Sequence, residues 1–129
     1  VTMLLTGEPV SIQGIRQQVN GIVYNLCDNA IKYNHENGHV WITVKKEGNE
    51  AVLVVEDDGI GIPPEHQERI FERFYRVDKS HSKEVGGTGL GLSIVKHAVR
   101  QQNGKIELKS EVGKGTRITV RFYIDFTNA

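Results

Sequence analysis

Three clusters of residues have the types and spacing that chemistry could use. In the first, Gly86 precedes Gly87-Thr88-Gly89-Leu90-Gly91, immediately before a helical pattern. Such a run places bare backbone N–H groups at a helix start, where the dipole and the unsatisfied donors favour an anion such as phosphate. Ordinary turns are the competing explanation, because glycine is the default residue for left-handed backbone. In the second, Asn25, Asn29 and Lys32 fall within about 60° of one another at 100° per helical residue, with Tyr33 beside them on the Asn29 side. Asparagine carbonyls suit a hard cation such as Mg²⁺, which keeps several waters and shares phosphate oxygens, and a lysine can meet the remaining phosphate charge. A solvated helix face is the plainer alternative. It is weakened because asparagine is a mediocre helix former and two of them on a partly buried edge are costly without a ligand. In the third, Asp57 and Asp58 end the run Val54-Val55-Glu56 beside Gly59. A carboxylate at a strand end can accept from the exocyclic amine of adenine, a donor that guanine's carbonyl edge lacks. An aspartate that merely caps the turn fits the same spacing.

Several other chemistries fail on spacing. No G-x-x-x-x-G-K-[ST] occurs, and Gly113-Lys114-Gly115 lacks Ser or Thr after the lysine, so a P-loop is excluded. Gly91 stands two residues after Gly89 and no βαβ unit surrounds it, against a dinucleotide fingerprint. His35-Glu36-Asn37-Gly38-His39 matches H-E-x-x-H, but that zinc motif works only on a helix, and Asn37-Gly38 is a turn signal. His66, His81 and His97 are scattered. Among 129 residues, 16 Lys and Arg balance 16 Asp and Glu, which disfavours a phosphate-tracking nucleic-acid binder. Cys27 is the only cysteine, so neither an internal disulfide nor a cysteine zinc site can form, which suits a reducing compartment. The longest apolar run, Ala51 to Val55, is far short of the roughly 18 residues of a membrane helix, and the piece is expected to be soluble.

The elements that position these clusters follow from hydrophobic period. Val10 to Ile15 reads as a strand, with Thr2 to Leu5 an earlier strand paired to it. Ile15, Val19, Ile22, Val23, Leu26, Ala30 and Ile31 form one helical stripe, ending near Asn34. Val40, Ile42 and Val44 alternate with polar residues, Lys46 to Glu50 turns, and Ala51 to Glu56 returns as a second antiparallel strand. Pro63-Pro64-Glu65 predicts a helix start, with the helix running to about Phe74. Arg76 to Gly87 lacks apolar period and reads as a mobile loop of the lid kind. Leu90, Ile94, Val95, Ala98 and Val99 recur at helical spacing until Asn103-Gly104. Ile106 to Ser110 and Arg117 to Ile124 complete the strands. The sum is a single α/β (α+β) domain, a two-layer sandwich with a mixed, mainly antiparallel sheet of about five strands on about three helices.

In sequence order, Asn25-Leu26-Cys27-Asp28-Asn29-Ala30-Ile31-Lys32-Tyr33, Asp57-Asp58-Gly59-Ile60-Gly61-Ile62-Pro63, Ile70-Phe71-Glu72-Arg73-Phe74-Tyr75-Arg76, Gly86-Gly87-Thr88-Gly89-Leu90-Gly91-Leu92 and Gly113-Lys114-Gly115-Thr116 span nearly the whole chain. These boxes resemble those of the catalytic ATP-binding domain of sensor histidine kinases, and within that family the phosphate-sensor type of bacterial kinase. The resemblance implies the Bergerat ATP-binding sandwich over residues 1–129, with an ATP lid at about 76–87. It implies ATP and Mg²⁺ as ligands. By the same resemblance Asn29 is the Mg²⁺ ligand, Asn25 its helper, Lys32 and Arg76 phosphate contacts, and Tyr33 a wall of the adenine site. Asp57, the first residue of D-x-G-x-G, reads the adenine. Gly59 and Gly61 let backbone approach the base, Thr116 supports that edge, and Ile62 and Tyr75 belong to the ATP-binding set. Phe71 and Phe74 form an aromatic hinge, and Gly87, Thr88, Gly89, Leu90 and Gly91 receive the triphosphate.

The implied activity is transfer of the γ-phosphoryl group to a histidine on a separate dimerisation and phosphoacceptor domain, for relay to a response-regulator receiver domain. Asn25, Asn29, Lys32 and Arg76 would carry the catalytic positioning. No histidine here has the setting of a phosphoacceptor helix, so the fragment is expected to bind ATP as a monomer and to need the rest of its kinase. The full-length protein is expected to be a membrane-anchored homodimer with this domain in the cytoplasm. Another Bergerat-type enzyme, such as an anti-sigma serine kinase or an ATPase, and a degenerate nucleotide-sensing module are the alternatives.

Overall fold

A computed structural model describes residues 2–7, 16–72 and 91–123. In chain order the elements are β1 (Thr2–Gly7), α1 (Arg16–Lys32), β2 (His39–Glu47), β3 (Glu50–Asp57), a 3₁₀ turn (Pro64–His66), α2 (Gly91–Gln101), β4 (Lys105–Glu111) and β5 (Gly115–Tyr123). The five strands form one sheet in the order β1-β2-β3-β5-β4. Strands β2, β3, β5 and β4 are antiparallel neighbours, while β1 lies parallel to β2, Thr2 opposite His39 and Gly7 opposite Val44. A parallel pair needs a crossover, and α1 lies on that crossover. This corrects the pairing expected from sequence: Thr2 to Leu5 forms a strand, but its partner is β2, and residues 10–15 lie outside the described set.

Side-chain alternation divides the sheet into two faces. Val40 and Ile42 of β2, Leu53 and Val55 of β3, and Ile118, Val120 and Phe122 of β5 point into one core. The helices cover it with Ile22, Leu26 and Ala30 of α1 and Val95, Ala98 and Val99 of α2. Ile31 and Ile94 continue the two helical stripes in sequence yet lie at their margins, 39% and 49% exposed. The opposite face of the sheet is charged. There Arg121 meets Glu47 at 2.9 Å and Glu107 at 3.4 Å, and Arg117 meets Glu56 at 3.1 Å.

The helix expected over 63–74 is instead one 3₁₀ turn followed by further turns up to residue 72. Pro63 precedes it with no side-chain cap, and among the described apolar residues that follow, Ile70 is buried and Phe71 only partly so. Without a cap or an apolar stripe a longer helix gains too little to offset its nucleation cost. Two α-helices, rather than about three, therefore cover the sheet among the described residues. Phe74 lies outside them.

Candidate functional site

At the end of β3 the sheet, the α1 terminus and the β4–β5 turn converge. Asp57 is half-buried there, and its Oδ1 accepts from the Gly59 amide at 2.9 Å. The backbone of Thr116, its register partner on β5, also donates to that carboxylate. Burial pushes the Asp57 carboxyl above the ordinary carboxylate range, and the two amides pull it partly back. Asp58 points elsewhere. Its Oδ1 accepts from the His39 amide at 2.6 Å and its Oδ2 lies 3.0 Å from His39 Nδ1, and the His39 amide holds its carboxyl below the ordinary range.

The loop after Asp57 is clamped by protein on both sides. Ile60 N donates to Tyr33 O at 3.2 Å and its own carbonyl accepts from Gly113 N at 2.9 Å. A Cβ at Gly59 would collide with the Tyr33 carbonyl, and one at Gly61, where φ is +75°, would collide with the Glu111 carbonyl. Close packing of α1 and the β4–β5 turn is thus sufficient reason for both glycines. Ile62 N donates to Ser110 Oγ at 2.8 Å, and Gln67 Nε2 bridges Ile62 O at 2.9 Å and Ser110 O at 3.1 Å. Ser110 Oγ also donates to Gly115 O at 3.0 Å and lies 2.8 Å from Thr116 Oγ1, whose residue is buried.

On α1, Asn25, Asn29 and Lys32 are all half-buried along one edge. Asn25 Nδ2 is spent on Gly21 O at 2.7 Å, which leaves its Oδ1 turned to the start of α2. A Cβ on Gly91 would stand 3.3 Å from that oxygen, so the asparagine edge and the first residue of α2 face each other. Lys32 Nζ pairs with Asp28 Oδ2 at 3.0 Å, one turn back. Tyr33 follows at the end of the helix. Phe71 is half-buried with Lys96 Nζ of α2 5.7 Å from its ring centroid. The structure therefore gathers Tyr33, Asp57, Gly59, Gly61, Ile62 and Thr116 at one corner, and sets Asn25, midway along α1, against Gly91 at the start of α2. Phe74, Tyr75, Arg76, Gly87, Thr88, Gly89 and Leu90, and with them the lid expected at 76–87, lie outside the described residues.

Ser110 and Gln67 hold this corner together and were not among the residues singled out by sequence. The available signal was a serine at the step where the inward alternation Ile106, Leu108 would place an apolar side chain. The H-E-x-x-H match dissolves: His35 is exposed in a turn, whereas His39 opens β2, pairs with Asp58 and stacks on Trp41 at 5.6 Å. A groove of about 320 Å³ lies on the other face of the sheet, over Val52 and Val54 and rimmed by the paired charges. It opens on the face of the sheet opposite this corner, and Arg117 with Glu56 and Arg121 with Glu107 pair across its rim.

Residues 14–127 match the family described as histidine kinase-, DNA gyrase B- and HSP90-like ATPases. The chain belongs to this family. Its histidine-kinase character is carried by its relatives. The signal transduction histidine-protein kinase ArlS of Staphylococcus aureus is 40% identical over 118 residues, covering 92% of the chain and 26% of ArlS. The chain thus spans about a quarter of the length of the curated relatives it matches. The mycobacterial sensor histidine kinase MprB superposes with a TM-score of 0.82 at 30% identity, over 95% of this chain and 80% of that one. Full-length ShkA in complex with AMPPNP gives a TM-score of 0.78 at 26% identity, over 95% of this chain and 26% of that one. The sandwich is the Bergerat fold, and the chain matches the catalytic ATP-binding domain of sensor histidine kinases.

Proposed function

We propose that the chain binds Mg-ATP with the adenine at the Asp57–Thr116 corner and the phosphates toward the asparagine edge of α1 and the start of α2. The observation that carries this reading is Asp57: a half-buried carboxylate, fixed by the Gly59 and Thr116 amides, with no cation paired to it among the described residues. A buried acceptor of this kind is costly unless a donor meets it, and the exocyclic amine of adenine is such a donor. The AMPPNP bound to ShkA, an ATP analogue, supports the same ligand class.

The α1 edge fits a hard divalent cation. Asn25 Oδ1 is left without its own amide's competition and faces the glycine start of α2, where a side chain would fill the space. Asn29, one turn on, would supply the ligating carbonyl and Asn25 would support it. Mg²⁺ bound there would draw charge from the phosphate oxygens. Lys32 would turn from Asp28 to the phosphates, and Gly91 with the glycine run before it would offer backbone amides at the helix start. Arg76 would add a further positive charge. These groups orient the γ-phosphoryl group and offset its charge; no covalent bond to this domain is required.

The accepting histidine belongs to the kinase's own dimerisation and phosphoacceptor domain, and a response-regulator receiver domain takes the phosphoryl group from it. The full-length protein is read as a membrane-anchored homodimer holding this domain in the cytoplasm. The test is labelled γ-phosphate transfer from ATP in the full-length kinase. Acid-labile, base-stable label on histidine, reduced about 100-fold or more by Asn29→Ala, is the expected result. Acid-stable label on serine, or free phosphate alone, would replace the reading with a serine kinase or an ATPase.

A further inference from the structure

Ser110 Oγ sits within hydrogen-bond distance of three groups whose proton roles can be assigned. A hydroxyl has one proton and two lone pairs. The Ile62 amide can only donate, and it occupies one lone pair at 2.8 Å. The Gly115 carbonyl can only accept, so at 3.0 Å it takes the Ser110 proton. With Thr116 Oγ1 at 2.8 Å, one arrangement satisfies all three contacts at once: the Thr116 hydroxyl donates into the remaining lone pair of Ser110. Thr116, 9% exposed, thereby spends its only hydroxyl proton inside the protein and turns lone pairs alone to any neighbour. Beside it, the Asp57 carboxylate is likewise an acceptor.

We propose that Ser110 is a specificity-determining positioning residue, which locks the Thr116 hydroxyl as an acceptor so that the base corner takes a 6-amino purine and rejects a 6-oxo purine. The inference rests on the Asp57–Thr116 corner being the base site. An amine donor at the purine 6-position satisfies the acceptors there. A carbonyl at the same position faces the lone pairs of Asp57 and Thr116, and an unpaired buried polar group is what produces strong discrimination. Ser110 touches no base itself; it acts through the proton direction of Thr116 and through the Ile62 amide that it holds.

Calorimetric titration of this chain with ATP and with inosine triphosphate, which carries oxygen in place of the 6-amine, tests it. The readout is the ratio of the two affinities. Ser110→Ala frees the Thr116 hydroxyl to rotate and donate, and the preference for ATP should fall about tenfold, the effect of one modest hydrogen bond. Thr116→Val should lower the preference too, and Ser110→Ala added to Thr116→Val should change it no further. Equal loss of both nucleotides in Ser110→Ala would show a merely structural role and overturn the proposal. Should Ser110→Ala fail to fold, Thr116→Val decides by direction, because a hydroxyl that donates to the base predicts a raised preference on its removal. Asp57→Asn separates the two levels. A preference it leaves intact overturns the base-site reading and this inference with it, whereas a collapse in Asp57→Asn beside an unchanged Ser110→Ala overturns the role of Ser110 alone.

Discussion

Asp57 is held at the end of β3 with its charge partly removed from water, and that has consequences for stability as well as for binding. Because burial raises its carboxyl above the ordinary value in the folded chain, the folded state keeps this proton to higher pH than the unfolded state does. Its contribution to stability is therefore lost as pH rises through the window above the ordinary aspartate range. Asp57→Asn should remove that slope and melt at a temperature equal to or above the native chain at pH 7, while losing ATP; thermal melts across pH check it. Asp58, whose carboxyl the His39 amide holds low, works in the opposite sense: its contribution is present at neutral pH and lost as pH falls through its lowered value. Lys32 carries a second residue-scale prediction. It is paired with Asp28 at 3.0 Å, and solvent-accessible i,i+4 pairs of this kind are worth about 0–1 kcal/mol. Asp28→Asn should release it and strengthen ATP binding about two- to fivefold, within that range, whereas Lys32→Met should weaken binding. The preference for Asp57 came from the D-x-G-x-G resemblance, while the pair Asp57-Asp58 was legible in the sequence as the end of a strand beside glycine. Ser110 was not, since its role depends on distances to β5 and to the loop at Ile62 that no local pattern encodes.

Among the elements, the loop from Gly59 to Ile62 shows how tightly α1 and the β4–β5 turn confine the chain at this corner. Gly61→Ala must adopt φ near +75° and also displace the Glu111 backbone, and it should cost about 2–3 kcal/mol in urea unfolding. Gly48→Ala, also at positive φ but with open space around it, should cost only about 1 kcal/mol. Equal losses would contradict the packing account. The long helix, the β2–β3 hairpin and the last two strands could be read from apolar period, because each buries one face against a single core. The helix expected over 63–74 could not be judged so, since Pro63-Pro64 signals a start but no apolar residue follows from Glu65 to Arg69 to carry a stripe. The partner of β1 was likewise hidden: parallel pairing across α1 leaves no turn signature between the two strands.

For the molecule as a whole, the two faces of the sheet have separate tasks. One carries the core and, at its end, the candidate site; the other is a field of paired charges centred on Arg121 with Glu47, Glu50 and Glu107. Arg121→Leu takes the shared cation from Glu50 and Glu107 and leaves Glu47 with Lys45 alone, and should lower the melting temperature at low ionic strength. The loss should shrink in about 1 M NaCl, where the screening length is only about 3 Å, and nucleotide binding should be unaffected. The balance of charges and the two-layer class were legible from composition and period. Which face was which followed only from the register of all five strands. The central claim is that the Asp57 corner reads adenine, and calorimetric titration of ATP and GTP, with and without Mg²⁺, into the native chain and Asp57→Asn tests it most directly. Adenine-selective binding, strengthened by Mg²⁺ and lost in Asp57→Asn, is the predicted result; binding that ignores the base, or that survives the substitution undiminished, would contradict it.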